Sequence, residues 1–83
     1  MPARADDDDA ERVRQAVEKG EIRPLSDILA ETRSKLPGDV VGVEIEREDG
    51  RWQYEFKVVD DQGRLFEVYV NAQTAVVERI KEK

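Results

Sequence analysis

The chain holds no cysteine and no histidine. Their absence removes thiol nucleophiles, imidazole general bases and the usual ligands of zinc, copper and iron together. It leaves the redox compartment open, because many proteins of oxidising compartments also lack disulfides. Aromatic residues are few: one Trp, two Tyr and two Phe. No apolar run approaches the ~20 residues of a membrane-spanning helix. Positive charge is also scarce, with 14 Lys and Arg against 20 Asp and Glu and a net charge of −6. Asp6 to Asp9 carry four of those negative charges, so the rest of the chain is close to balance. Without a basic field there is no phosphate neutralisation, which excludes nucleic-acid binding and polybasic membrane attachment.

What the chain does have is periodicity. Its 83 residues make one domain with a small core. Trp52, Tyr54, Phe56 and Val58 fall on alternate positions, as do Phe66, Val68 and Val70 after the break at Asp60-Asp61-Gln62-Gly63. Alternation puts each set on one side of a strand, and a short polar loop ending in Gly joins the two runs as a hairpin. Upstream, Val41, Val43 and Ile45 alternate with Gly42, Glu44 and Glu46, which predicts a first strand over Asp39–Glu48. Asp49-Gly50 reads as a two-residue hairpin turn into a second strand, Arg51–Val59. The third strand is expected over Arg64–Asn71 and the fourth over Val76–Lys81. The fourth has no clear register, because Val76 and Ile80 share a parity that Val77 opposes.

Two helices are expected ahead of the strands. Ala10, Val13, Ala16 and Val17 form a thin stripe over Asp9–Lys19, stopped at Gly20. Ser26–Leu36 is stronger, with Ser26 as N-cap, Asp27 in the first turn, and Ile28, Leu29, Thr32 and Leu36 on one face. Residues 1–9 read as a disordered acidic tail and 10–83 as the single domain. Ala3-Arg4-Ala5 has the small-x-small pattern of a signal-peptidase site, which predicts a periplasmic or secreted chain after cleavage. The architecture that follows is a two-layer α+β domain. N-terminal helices pack on a four-stranded antiparallel meander sheet whose apolar face is Val41, Val43, Ile45, Trp52, Tyr54, Phe56, Val58, Phe66, Val68 and Val70.

The run Glu67-Val68-Tyr69-Val70-Asn71-Ala72-Gln73-Thr74-Ala75-Val76, preceded by an aromatic-rich strand and an Asp/Gly turn, resembles the PepSY domain family. That family commonly shows Glu-Val-Tyr-Val, then Asp-Ala-x-Thr-Gly, then a last apolar strand. The chain departs at Asn71, where Asp is usual, and at Ala75, where Gly is usual. If the backbone there takes a positive φ, Ala costs about 1 kcal/mol or more relative to Gly. The resemblance extends back to about Ile22. It implies a helix wrapped by an antiparallel sheet, as in cystatin-type folds, and a cell-envelope or secreted setting. Domains of this kind occur in propeptides of thermolysin-like metallopeptidases, where they are linked to inhibition and chaperoning.

Chemistry is expected on the polar sheet face. Glu44, Glu46, Glu55, Lys57, Glu67 and Tyr69 form the candidate partner-binding surface, with Glu55, Lys57, Glu67 and Tyr69 as cross-strand neighbours. A solvated face of the same composition is the plainer reading. Glu44 and Glu46 share a face at ~7 Å, yet a carboxylate pair without a cleft is no glycosidase. Ser26 and Ser34 have no imidazole to activate them. The chain therefore reads as a non-enzyme with no catalytic residue, no cofactor and no metal. The leading function is a non-catalytic protein-binding module that modulates or inhibits a peptidase, with a protein or peptide partner. The alternatives are a self-associating structural module that dimerises through an edge strand, and a small-ligand sensor using the groove between helix and sheet.

Overall fold

The computed structural model describes residues 4–83, with side chains from Ala10 onward. Met1 to Ala3, and with them part of the expected Ala3-Arg4-Ala5 cleavage remnant and acidic tail, lie outside the described residues. Helix α1 spans Arg4–Glu18. It begins earlier than the Asp9 start that composition suggests. No Gly or Pro interrupts Ala5–Lys19, and acidic residues are favoured in the first turns of a helix by its dipole. The helix stops as expected at Gly20. The amide of Glu21 donates to the Ala16 carbonyl at 2.8 Å and that of Gly20 to Val17 at 3.1 Å, which is the Schellman pattern. Ala16 and Ile22 are buried beside this stop, and Val13 packs on them from one turn earlier.

The connection to the next helix is tied to the sheet. The Arg23 amide donates to the Ala72 carbonyl at 2.8 Å, and the Tyr54 hydroxyl donates to the Arg23 carbonyl at 2.9 Å. Helix α2 spans Leu25–Thr32 and continues as a 3₁₀ turn over Arg33–Lys35. Its N-cap is Pro24, which corrects the expected cap at Ser26. Pro24 has no N–H to satisfy and its fixed φ suits a helix entry, so the helix starts one residue before Ser26. Thr32 is fully buried, and its hydroxyl donates to the Ile28 carbonyl at 2.8 Å, so its polar group is satisfied within the core.

Strands β1 (Asp39–Glu48), β2 (Arg51–Val59), β3 (Leu65–Asn71) and β4 (Val77–Glu82) pair antiparallel in the order β1-β2-β3-β4. The expected two-layer α+β meander is therefore the observed fold. Asp49 and Gly50 both take positive φ, 54° and 77°, the backbone that matches strand twist in a tight hairpin. Phe56, Val58, Val68 and Val70 are fully buried at the centre, with Tyr54 beside them, and Ile28 and Thr32 pack from α2.

The edges differ from expectation. A bulge between Val40 and Gly42 brings Val40 opposite Val58 and leaves Val41 as the extra residue, 64% exposed. Val41 is thus no core residue; Val40 takes its place in the core cluster. Val43, opposite Phe56, is also more exposed than the alternation implies. A second bulge lies in β4, where Tyr69 pairs with Arg79 and Val70 with Val77, so that Glu78 is the extra residue. That bulge resolves the unclear parity of the fourth strand. Val77 and Ile80 face the helix side and Arg79 and Lys81 the other.

Candidate functional site

The candidate surface lies on the sheet face opposite the helices. Register brings its members into rows. Glu44 is opposite Glu55, Glu55 opposite Tyr69, and Tyr69 opposite Arg79. In the next row Lys57 is opposite Glu67, and Glu67 opposite Lys81. The expected cross-strand neighbours Glu55, Lys57, Glu67 and Tyr69 are therefore together. Glu46 lies opposite Gln53, one step along the same face from Glu44.

This face is not uniformly wet. Glu55 is only 6% exposed and Gln53 only 7%, although no second layer covers them. They sit on an inner strand, under long side chains reaching in from β1 and β3. Burial, then hydrogen bonding to Glu46, then the negative charges of Glu46, Glu67 and Glu44 push the Glu55 carboxyl up to about 7. Neutral carboxyl is therefore populated on this face near physiological pH. Carboxylate oxygens of Glu44, Glu46 and Glu55 all lie within 4.8 Å of one another. An all-oxygen set suits only a hard cation such as Ca²⁺ or Mg²⁺, and three carboxylates fall short of the six to eight oxygens a Ca²⁺ ion takes.

The remaining charges are compensated. The Lys57 ammonium donates to Glu44 at 3.2 Å, which raises its affinity for its own proton. Burial acts to raise the Glu67 carboxyl, but Lys83 at 3.3 Å and the Tyr69 hydroxyl at 3.1 Å outweigh it and hold the group low. Tyr69 is raised by burial and by its bond to Glu67. The Arg79 guanidinium lies 4.7 Å from the centre of the Tyr69 ring, a cation–π contact.

Sequence reading missed Arg79, Lys81, Lys83 and Glu78 as members of this face. All four lie on or beyond β4, whose register the bulge concealed. Glu78 accepts from Arg51 and Gln53 at 3.2 Å and from the Asn71 amide at 3.3 Å. That contact explains Asn71: an Asp there would set a second carboxylate against Glu78. Asn71 keeps the turn intact as well, since its side-chain oxygen accepts from the amides of Gln73 at 2.8 Å and Thr74 at 3.0 Å. Ala75 does take the positive φ expected of a Gly position, 67°, while remaining buried.

A single antiparallel sheet, helices on one face and linked charges on the other, defines a small α+β module that presents a surface rather than a cleft. Residues 24–81 match the family described as PepSY, peptidase propeptide and YPEB domain, and the chain belongs to that family. No curated protein and no solved structure matches it. PepSY domains are generally non-catalytic, propeptide-like modules, typically extracellular or periplasmic. Among the described residues, no helix is long and apolar enough to cross a membrane.

Proposed function

We propose that this protein is a non-catalytic binding module of the cell envelope that holds a protein partner against the charged sheet face, and that the partner is a peptidase whose activity it modulates. The observation that carries the reading is Glu55, a carboxylate 6% exposed among Glu44, Glu46 and Glu67. A face that serves only solubility keeps its acids apart and in water, whereas a buried like-charged group lowers folding stability. Natural sequences retain such a feature where binding uses it, and a cationic group from a partner would relieve it. Glu44, Glu46, Glu55, Lys57, Glu67 and Tyr69 are the residues proposed to meet that partner. Family membership supports the peptidase, and the small-x-small pattern at Ala3-Arg4-Ala5 supports export.

The test is a crosslinking capture from native cell envelope with the chain as bait, followed by activity assays of the captured peptidase against a titration of the chain. Dose-dependent change in peptidase activity, lost with Glu67→Ala or Tyr69→Ala at unchanged thermal stability, is expected. Absence of any effect on envelope peptidases, with none co-purifying, overturns the peptidase assignment. Recovery from the cytosol alone overturns the envelope assignment.

A further inference from the structure

The two edges of the sheet are unlike, and the difference specifies a ligand. On the β3 side, acidic and aromatic groups of the outer face are answered by a strand that supplies cations. Lys81 is opposite Glu67, Lys83 reaches Glu67 at 3.3 Å, and Arg79 covers Tyr69. β4 thus alternates cations outward with Val77 and Ile80 toward the helix side. On the β1 side there is an equivalent row, Glu44, Glu46 and Glu48, and no strand beyond it. Lys57 reaches Glu44, while Glu46 and Glu48 have no ion-pair partner among the described side chains.

We propose that β1 is a docking edge for an extended peptide segment that alternates Lys or Arg with apolar residues and adds to the sheet as a fifth strand along Val43–Glu48. This rests on the binding-module reading and specifies the partner's chemistry. Three observations support it. The pairing of Gly42–Glu48 with β2 is regular, and the bulge that bends β1 falls before it. An edge strand carries a row of backbone groups free to pair with an extended chain, and sheet extension is an established recognition mode. On the helix side the same stretch offers partly apolar footing: Val43 is half-exposed, and a cavity of about 230 Å³ opens between Val13, Ile45 and Trp52, with Arg12 and Arg47 at its lining. Cations of the segment lie over Glu44, Glu46 and Glu48, and its apolar side chains lie against Val43 and Ile45.

A second copy is the weaker occupant. β1 against β1 sets the acidic rows against each other, which is unfavourable across a strand pair. β1 against the β4 of another copy has the right charges, but such a contact is head-to-tail and leaves a free edge at each end. The bulge at Glu78 also interrupts β4.

The experiment is an NMR titration of the isotope-labelled chain with a blocked octapeptide alternating Val and Lys. Expected are amide shifts concentrated on Val43–Glu48, affinity that falls with salt, and at least tenfold weakening by the double substitution E46K and E48K. A peptide N-methylated at alternate residues, unable to make strand hydrogen bonds on one side, should lose binding while its charge is unchanged. Equal binding of a Val–Glu peptide, shifts centred on β4, or no shifts at all overturn the proposal. So does a light-scattering mass that grows with chain concentration and is abolished by Lys81→Glu, which gives the edge to a second copy. Crosslinks from the captured envelope partner that map to β3 and β4 overturn the edge while leaving the binding-module reading intact.

Discussion

Phe56 and Glu55 are adjacent on β2, point to opposite faces, and are both almost wholly hidden from water. Their energetics are opposed. Phe56 rests against apolar side chains from Val58, Val68 and the helices, so its burial stabilises the fold. Glu55 is buried against other carboxylates, so its burial opposes folding whenever it is ionised. Equal concealment from solvent therefore says nothing of the sign of a contribution; the neighbours decide it. In so small a domain the helix-side face must supply the stability that the charged face gives up.

The sharpest break of this comparison is Phe56→Ala. Truncating a fully buried aromatic side chain typically costs about 3–5 kcal/mol, a large part of the stability of a small domain. Urea denaturation should show a midpoint close to zero denaturant. The reverse is expected next door. Glu55→Gln removes the titrating group and should stabilise the chain by roughly 1–2 kcal/mol at pH 8, after allowance for solvent screening, and by almost nothing at pH 5. The sign follows from the proton count. With a folded value of about 7 against an ordinary 4.5, the native state binds more protons than the unfolded state between those limits. Wild-type stability from Glu55 is then fully present below about pH 4.5 and is lost as pH rises through about 7. Melting temperatures of wild type and variant, measured from pH 5 to 8, should diverge upward in pH; parallel curves would sink the argument.

Smaller effects come from the turn that joins β3 to β4. Asn71→Asp places a carboxylate beside Glu78 and should destabilise by about 1 kcal/mol at pH 7. Glu78→Gln in the same chain should recover most of that loss, which a double-mutant cycle by urea denaturation would read. Ala75→Gly relieves a positive φ that costs about 1–2 kcal/mol in an L-residue, at the loss of one buried methyl worth about 0.8 kcal/mol. The net gain is roughly 0.5 kcal/mol, visible as a small rise in the urea midpoint.

The parts of this fold that were legible are those where one parity dominates. Trp52 to Val58 and Phe66 to Val70 admit a single register, so β2, β3 and the meander order could be read directly. The fourth strand's phase, left open by the sequence, is set by the bulge at Glu78, and the one misread register falls at the Val-Val pair Val40-Val41. There either residue serves as the inward one, and only the partner strand's demands select between them through a bulge. The helix start was hidden for a similar reason: four consecutive Asp residues suit a solvated tail and a helix N-terminus equally. Of the site, alternation placed Glu44, Glu46, Glu55, Lys57, Glu67 and Tyr69 on one face. It could not show that Glu55 is covered, because the cover comes from side chains of neighbouring strands. Nor could it show the cations of β4, whose phase depends on Glu78.

The strand order has a kinetic consequence. Each strand pairs with its immediate neighbour in the chain, so the sheet forms by closing three short loops, after Glu48, Val59 and Asn71. Closing short loops loses little chain entropy, and chains dominated by local contacts fold early and fast for their size. The hairpins can zip up before either helix arrives. Refolding should then run in one exponential phase, with Val58 and Val68 structured in the transition state and α1 docking late.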